Sequence, residues 1–516
     1  MKRCICILLL LMFLLAGCET QPTDPQPQPT QTQQTQTTEK SCAQHVDENN
    51  DDICDLCDGS VIIVIDFYCI NDLHGRVLDS AGQPGIDEMT TYFEQAKETD
   101  DHVILLSAGD MWQGSAESNL TRGQLLVEWM NRLDFQGMAL GNHEFDWGVS
   151  FIGENAQLAE FPFLAINVYD QQTNQLASFC EPSRLVECNG VQIGLIGAAG
   201  DNYSSIASDM SKGVYFKTGA ALTALVKAES QKLREQGADF IVYLIHDGMG
   251  SSAYGGTVSV PAHQLNSYYD VSLSNGYVDL VFEGHTHQRY LAKDEYGVYH
   301  LQNRGDNTGG FSHVEISIHA INGSVEVRQA ELVENAKYEN LEDSPVIADL
   351  LEEFKQQLGS AMDSCGKISR SVPGDNLRQL VADLYYLEGI AQWGTQYDIA
   401  LGGGFVSIRK PGYLSSGEVS YGELLELFPF DNELVLCSIS GRDLRKRFLE
   451  TDNSNYFICC DETITGHIDD NATYYVVVDT YSSTYAPNRL TEVERYGAPY
   501  YARDMLANYI RNGGLN

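Results

Sequence analysis

The chain has 516 residues, of which 72 are acidic and 32 basic, giving a formal net charge of −40. This length exceeds that of one ordinary domain, so two folded domains with short appendages are expected. The 43% hydrophobic fraction indicates a globular protein with a sizeable core. The acidic balance argues against a nucleic-acid polymer as the main partner, although bound dications would still attract a small anion.

Residues 1–17 predict an export signal peptide. Lys2 and Arg3 precede the apolar run 7–15, which is too short to span a bilayer. The run leads into Leu-Ala-Gly-Cys, which resembles a bacterial lipobox and implies cleavage before Cys18 and lipid on its sulfur. A plain signal peptide is the alternative. We therefore expect an extracytoplasmic lipoprotein anchored to the membrane, at the cell surface or in the periplasm.

Two unlike segments follow the signal. Residues 18–40 are rich in Gln, Thr and Pro, which predicts a lipid-anchored disordered linker. Residues 41–59 form a small module with two close pairs of soft ligands. These are Cys42, His45, Cys54 and Cys57. Four such ligands suit a structural zinc ion. The overlapping acidic run resembles part of a calcium loop, and a disulfide-stapled knot is a third alternative in this compartment.

The rest of the chain divides into two α/β units. Over residues 60–340, short apolar runs alternate with amphipathic segments. Residues 341–363 are expected to connect the units through a helix from Ser344 to Met362, with Ser344 as its N-cap. A smaller α/β unit rich in tyrosine occupies residues 364–516.

Polar side chains follow five apolar runs of the first unit, at the point where each predicted strand ends. The runs are residues 62–70, 102–106, 138–140, 240–245 and 278–282. Buried strands cannot carry unpaired polar groups, so function moves to the loops at their ends, and in α/β folds these loops converge on one rim. The side chains are carboxylates, a carboxamide and imidazoles. This mixture suits divalent zinc, manganese, cobalt or iron.

The motifs at these strand ends resemble a known family. They are Asn-Asp-Leu-His-Gly at 71–75, Ala-Gly-Asp at 108–110, Gly-Asn-His-Glu-Phe-Asp at 141–146, His-Asp-Gly at 246–248 and Gly-His-Thr-His at 284–287. In this order they resemble the calcineurin-like metallophosphoesterases. With the C-terminal unit, they are similar to the bacterial 5'-nucleotidase and UDP-sugar hydrolase family. The resemblance implies a four-layer α/β/β/α domain followed by a smaller α/β substrate-binding domain.

The resemblance also implies a centre with two divalent ions and a catalytic histidine. One ion would be held by Asp72, His74, Asp110 and His287. The other would be held by Asp110, Asn142, His246 and His285, so that Asp110 bridges both. Attack of a metal-bound water on phosphorus would follow, with Asn142 helping to stabilise the developing charge. His143 would be the catalytic imidazole, oriented by Asp146; the alternative for Asp146 is a plain helix cap.

In the second unit, the resemblance implies a site for the organic part of the substrate. Arg370, and Arg409 beyond the glycines 402–404, would bind phosphate oxygens, with a surface role as the alternative. Phe430 would be one wall of a base-stacking clamp, and Tyr481 the other unless it belongs to the core. The family's Gly-Gly-Asp-Gly loop is replaced here by residues 482–488.

These features predict a hydrolase that releases phosphate from monoesters of extracellular nucleotides. The enzymatic alternative is a UDP-sugar or 2',3'-cyclic-nucleotide hydrolase with the same centre. The non-enzymatic alternative is a surface-binding lipoprotein that uses the fold as a scaffold.

The remaining cysteines permit one local disulfide. Cys180 and Cys188 bracket a turn-prone stretch and could pair, whereas the adjacent Cys459 and Cys460 are not expected to pair with each other. No cysteine lies within the motifs, so no thiol is assigned a catalytic role.

Overall fold

The computed structural model describes most of the chain from residue 46 onward. The described residues are 46–49, 52–55, 60–79, 84–100, 102–207, 209–248, 269–305, 309–359, 363–409, 411–451, 454–484, 490–497 and 500–515. The predicted export signal, Cys18 and the linker 18–40 lie outside them. Among the described helices, none combines the length and the apolar character needed to cross a membrane. The chain separates into two compact units, residues 1–60 and 61–516.

In the first unit, the described residues form a short turn closed by backbone hydrogen bonds. The Asp55 amide donates to the Val46 carbonyl at 2.7 Å, and the Val46 amide donates to the Cys54 sulfur at 3.4 Å. The Asp55 carboxylate accepts the Glu48 amide at 2.7 Å. Three of the four predicted zinc ligands lie outside the described residues: Cys42, His45 and Cys57.

The second unit begins with a larger domain built on two sheets. In chain order, its elements are β1 Ile62–Ile70, α1 Asp87–Thr99, β2 Val103–Ser107, α2 Ala116–Leu120, α3 Gln124–Arg132, β3 Phe135–Ala139, α4 Val149–Leu158, β4 Phe163–Leu164, β5 Val168–Asp170, β6 Ser183–Cys188, β7 Val191–Ala198, β8 Val214–Phe216, α5 Gly219–Glu235, β9 Phe240–Ile245, β10 Leu280–Glu283, β11 Tyr290–Lys293, β12 Tyr299–Gln302, β13 Phe311–His319 and β14 Val325–Val333. One six-stranded sheet has the order β14-β13-β1-β2-β3-β4, and the other has the order β11-β12-β10-β9-β7-β6.

Apolar cores hold these sheets and their helices in four layers. Phe67 and Phe240 stack between the two sheets, with ring centroids 5.9 Å apart. Trp129 on α3 belongs to the core on the outer face of the first sheet, and Val226 on α5 to the core outside the second. Strands buried on both faces require near-continuous apolar runs, which is the pattern in the sequence. The predicted α/β/β/α arrangement is confirmed.

A smaller α/β domain follows. Its elements, including the connecting helices, are α6 Pro345–Glu353, α7 Lys355–Leu358, β15 Ser364–Ile368, β16 Val372–Pro373, α8 Gly374–Trp393, β17 Ile399–Phe405, β18 Tyr413–Leu414, β19 Gly417–Ser420, α9 Tyr421–Leu427, β20 Leu434–Ser440, α10 Gly441–Leu444, β21 Tyr456–Cys460, α11 Glu462–Thr465, β22 Thr473–Asp479, α12 Thr480–Thr484, β23 Thr491–Tyr496 and α13 Ala502–Arg511. A five-stranded sheet has the order β21-β17-β22-β20-β23.

The connecting helix is interrupted within its described part. Ser344 caps α6 as expected, with its hydroxyl accepting the Val346 amide at 3.2 Å. The helix then breaks at Phe354, whose φ of −91° and ψ of 3° leave the α-helical range, and the single turn of α7 follows. The predicted end at Met362 lies outside the described residues.

The two cysteines that could have paired do not form a disulfide. Cys180 and Cys188 are both free thiols. The buried Cys180 thiol instead donates to the carbonyls of Ala177 and Ala165, at 3.4 and 3.5 Å.

Candidate functional site

The predicted metal ligands of the first domain converge where strands of both sheets end. In one group, the Asp72 Oδ1 and His287 Nε2 atoms are 3.4 Å apart, and the Nε2 atoms of His74 and His287 are 3.0 Å apart. Loops from the first sheet carry Asp72 and His74, whereas His287 follows β10 of the second sheet. The fold therefore brings side chains that are more than 200 positions apart in the sequence into direct contact.

A second group lies beside the first. His246 Nε2 is 3.0 Å from Asp110 Oδ2, and His285 Nδ1 is 2.8 Å from Asn142 Oδ1. Asp72 Oδ1 is 3.9 Å from His246 Nε2, so the two groups are adjacent. All seven predicted ligand side chains are thus brought together.

The backbone at this centre adopts an uncommon conformation. Positive φ values occur at five of the seven ligand residues: Asp72 (51°), His74 (51°), Asp110 (56°), His285 (72°) and His287 (51°). Non-glycine residues in sparsely populated regions cost about 1–3 kcal/mol each and persist only where the surrounding structure holds them. Such strain concentrates at functional sites.

Glu144, which sequence reasoning did not single out, ties two of the ligand loops together. Its buried carboxylate accepts the amides of Asp110, Met111 and Gly141 at 2.9, 2.8 and 2.6 Å. One side chain therefore fixes both the loop after β2 and the loop after β3. The sequence showed this glutamate inside the motif 141–146, but the three amides that it binds meet only in the fold.

Hydrogen bonds to backbone carbonyls set the orientation of two imidazoles. His74 Nδ1 lies 3.2 Å from the Gln113 carbonyl, and His246 Nδ1 lies 2.8 Å from the Ala108 carbonyl. Donation from Nδ1 leaves Nε2 as the atom presented to the centre, which is the arrangement that metal-binding histidines commonly have.

Protonation at the centre also suits cation binding. Burial lowers the pKa of His74 to about 3 and that of His285 to about 4, so both imidazoles are neutral. Burial alone would raise the pKa of Asp110, but the neighbouring His246 and His143 imidazoles hold it well below its usual range. Neutral imidazole and ionised carboxylate are the forms that bind metals, and His74, His285 and Asp110 already have them. Burial would lower the pKa of His246, but the Asp110 carboxylate raises it to about 10, so a divalent ion bound there would displace the His246 proton.

His143 lies at the edge of this centre, between a carboxylate and a guanidinium. Its Nδ1 is 2.6 Å from Asp146 Oδ2, and its Nε2 is 2.9 Å from Arg409 Nη2. Arg409 also donates to Gln113 Oε1 at 3.3 Å. Since a guanidinium only donates, Nε2 accepts and the proton lies on Nδ1, facing Asp146. Asp146 thereby orients the ring.

A cavity of about 320 Å³ joins this centre to the smaller domain. Residues of the first domain that line it include Asp110, Asn142, His143, His285 and His287. Its other wall includes Arg409, Phe430, Phe405 and Tyr481. The Arg409 guanidinium lies 5.5 Å from the Phe430 ring centroid.

The aromatic residues of this wall differ in part from the predicted set. The predicted Phe430 and Tyr481 both line the cavity, and a further ring, Phe405, contacts Tyr481 with centroids 5.4 Å apart. Sequence reasoning missed Phe405, although it directly follows the glycines 402–404. The predicted Arg370 is exposed in the turn between β15 and β16 and is not among the described residues that line the cavity.

Asp431, next to Phe430, links the two domains. Arg122 of the first domain lies 2.7 Å from its Oδ2 atom, and Arg503 of the second pairs with its Oδ1 atom. The negative charge of Asp431 is therefore compensated by one arginine from each domain.

Comparison with known proteins agrees with this architecture. Residues 65–289 match the family of calcineurin-like phosphoesterases, and residues 358–463 match the 5'-nucleotidase C-terminal domain. The chain is 25% identical over 423 residues to Protein UshA of Yersinia enterocolitica, which covers 73% of this chain and 74% of that protein. It is 28% identical over 228 residues to a 5'-nucleotidase of Vibrio cholerae, covering 42% of this chain and 39% of that protein.

Solved structures share the fold. The structure of a 5'-nucleotidase precursor from Thermus thermophilus has a TM-score of 0.63 at 19% identity, covering 87% of this chain and 96% of that one. The structure of a putative 5'-nucleotidase from Staphylococcus aureus has a TM-score of 0.66 at 17% identity, covering 88% and 98%.

Proposed function

Because the chain belongs to the calcineurin-like phosphoesterases that carry a 5'-nucleotidase C-terminal domain, and is thus a metal-dependent phosphoesterase, we propose that it releases phosphate from the monoesters of extracellular nucleotides. One observation carries the proposal. The same cavity has carboxylates and imidazoles in one wall and an arginine with aromatic rings in the other. The first wall suits a phosphoryl group and the second suits a base.

The family uses divalent metal ions, and we propose two in this chain, of zinc, manganese, cobalt or iron. Asp72, His74, Asp110 and His287 would hold one. Asp110, Asn142, His246 and His285 would hold the other. Supporting this, the neutral imidazoles of His74 and His285 converge with an ionised Asp110, and no cysteine is among the proposed ligands. Bound there, divalent ions supply Lewis acidity to phosphoryl oxygens and lower the pKa of a water molecule from about 15.7 towards neutrality.

His143 is proposed to act on the reacting ester. Asp146 fixes its ring through Nδ1, which leaves Nε2 directed at the cavity. The oxygens of an incoming phosphoryl group would replace His143 Nε2 as the acceptor of the Arg409 hydrogen bond, because phosphate oxygens are stronger acceptors than an imidazole nitrogen. His143 Nε2 would then be released from Arg409. Once Nε2 has taken up a proton from solvent, it would donate that proton to the leaving ester oxygen, which returns the imidazole to its neutral form.

The second wall is proposed to hold the rest of the nucleotide. Arg409 would bind phosphoryl oxygens, since its guanidinium offers several donors in a fixed fork. Phe430 would stack on the base, and Tyr481 with Phe405 would supply a further aromatic surface. Asn142 would help to stabilise the charge that develops on the phosphoryl oxygens.

The N-terminal segments are proposed to place the enzyme outside the cytoplasm. Lipid on Cys18 would anchor the chain to the membrane, and the linker 18–40 would tether the folded part. The module 41–59 is proposed to bind structural zinc, for which the amide donation from Val46 to the Cys54 sulfur gives support. A Cys54→Ser variant of the mature chain that loses no zinc would disprove that assignment.

The function is tested by phosphate release from a panel of nucleotides after loading with manganese, cobalt or zinc. Release from AMP supports the proposal. Activity confined to UDP-sugars or to 2',3'-cyclic nucleotides would replace it with the diester alternative. Bound metal without any hydrolysis would favour the scaffold alternative.

A further inference from the structure

Gln113, in the loop after β2, contacts groups that belong to both domains. Its backbone carbonyl lies 3.2 Å from His74 Nδ1, and its side-chain Oε1 accepts a hydrogen bond from Arg409 Nη2 at 3.3 Å. His74 is a proposed metal ligand of the first domain, and Arg409 is a proposed phosphate contact of the second. One residue of the first domain therefore touches both sides of the centre.

The backbone beside Gln113 is fixed against His74. The Ser115 amide donates to the His74 carbonyl at 3.2 Å. A Cβ atom on Gly114 would clash with the same carbonyl oxygen, so this close approach requires glycine. The buried Asn119 side chain bonds the amide and the carbonyl of Gly114, at 3.2 and 3.0 Å. The Gln113 side chain therefore extends from a firmly held segment.

The Gln113 carboxamide is oriented in a way that folding alone does not favour. Gln113 is fully buried, and its Nε2 donor has no hydrogen-bond partner among the described residues. A guanidinium only donates, so Oε1 faces Arg409 and Nε2 points elsewhere. Leaving a buried donor unpaired is unfavourable, and native proteins pair most buried polar groups. The exception at Gln113 indicates a role other than stability.

The two side chains that accept from Arg409 Nη2 differ in what a phosphoryl group would do to them. His143 Nε2, at 2.9 Å, lines the cavity and would lose its bond to the phosphoryl oxygens. Gln113 is not among the described residues that line the cavity, so it would meet the substrate only through Arg409. Its Oε1 atom would keep its bond while the new ones form.

We propose that Gln113 is a positioning residue that holds the Arg409 guanidinium at the centre for the phosphoryl oxygens of the substrate. A donor held in its productive geometry before binding loses less conformational freedom when the substrate arrives. This inference rests on the proposed function, which assigns phosphate oxygens to Arg409. It explains why a fully buried amide is retained with one donor unpaired.

The test is calorimetric binding of inorganic phosphate to the metal-loaded full chain, in a double-mutant cycle of Gln113 and Arg409. Gln113→Met keeps the length of the side chain but removes the acceptor, so the Kd for phosphate should rise about 3–10-fold. In an Arg409→Gln background, the same change should alter the Kd by less than about twofold, because the positioned group is gone. An equal rise in both backgrounds, no rise in either, or a wild type that binds no phosphate would overturn the inference.

Stability distinguishes positioning from packing. Gln113→Met removes the unpaired donor, so its midpoint of denaturant unfolding should equal or exceed that of the wild type. A lower midpoint, or a chain that does not fold, would show a structural amide and overturn the inference. Gln113→Asn keeps the carboxamide but withdraws it by one methylene, and it should raise the Kd as Gln113→Met does.

Asn155→Leu is a matched control. Asn155 is a buried carboxamide of the same domain, its Oδ1 has no hydrogen-bond partner among the described residues, and it is not among those that line the cavity. Its replacement should leave the Kd for phosphate within about twofold of the wild-type value, and a rise as large as that in Gln113→Met would contradict the inference. Phosphate release from AMP, measured separately, reports on the proposed function itself.

Discussion

The two walls of the cavity are built in different ways. The metal wall (Asp72, His74, Asp110, Asn142, His246, His285 and His287) consists largely of buried side chains on strained backbone, with Asp72 and His246 fully buried. The substrate wall (Phe405, Arg409, Phe430, Asp479 and Tyr481) is mostly half-buried and lies at strand ends, in loops and on the short α12. Backbone strain and burial hold reactive groups in one geometry. Half-buried side chains, in contrast, can change their conformation from one substrate to another. Changes in the metal wall should therefore affect kcat, and changes in the substrate wall should affect KM.

The largest effect is expected at Asp110. Asp110→Asn removes the charge that His246 faces at 3.0 Å, and kcat/KM for AMP should fall by at least about 10³-fold with loss of bound metal. Asp134→Asn is a matched control, because Asp134 also has a positive φ, 57° against 56° for Asp110, but is exposed. Near-normal activity and metal content in Asp110→Asn would break the distinction between the walls.

His143 should separate catalysis from metal binding. His143→Ala removes the imidazole that Asp146 orients, so kcat should fall by about 10²–10⁴-fold while the metal content stays that of the wild type. Kinetics with AMP and elemental analysis check the two halves of this prediction. If kcat stays near the wild-type value, the proposed role of His143 is wrong.

Arg409 should show the behaviour of the substrate wall. Arg409→Gln removes a charged donor from the cavity, and KM for AMP should rise about 10–100-fold. Arg370→Gln, at an exposed turn, should change KM less than about twofold, within the range of ordinary surface substitutions. An effect at Arg370 as large as that at Arg409 would contradict the placement of the two arginines in this structure.

The smallest effect concerns stability and its dependence on pH. Burial raises the pKa of Asp479 to about 6, so the folded chain binds this proton more tightly than the unfolded chain does. Stability from this group is therefore lost as pH rises from about 4 through 6. Asp479→Asn avoids that loss, so its free energy of unfolding at pH 7.5 should exceed that of the wild type by at most about 3 kcal/mol, with the gain absent near pH 4. Denaturant unfolding at the two pH values measures this difference, and a gain of the same size at both would contradict the assigned cause.

Much of the metal wall could be predicted from the sequence because strand ends are easy to recognise. The predicted runs 62–70 and 240–245 coincide with β1 and β9, and the other three strands differ by one to three residues at their ends. The positive φ values were not predictable, because the fold imposes them on residues that can adopt ordinary conformations elsewhere. The role of Glu144 could not be predicted, because only the fold brings together the three amides that its carboxylate accepts.

The substrate wall was harder to predict because it depends on how segments are oriented. The family resemblance implied a role for Arg370, but the turn between β15 and β16 exposes it to solvent. The glycines 402–404 proved to be part of β17. A Cβ atom on Gly402 would lie 2.2 Å from the Tyr386 amide nitrogen, so this glycine permits close packing of α8 on the sheet. No sequence feature distinguished Phe405, at the end of that strand, as a residue of the cavity.

The most direct test of the two-ion centre is an anomalous difference map from crystals grown with manganese. We expect two peaks roughly 3.5–4 Å apart, with the Asp110 carboxylate between them and Asn142 and His74 on opposite sides. A single peak, or no peak next to Asp110 in a protein that hydrolyses AMP, would contradict the account.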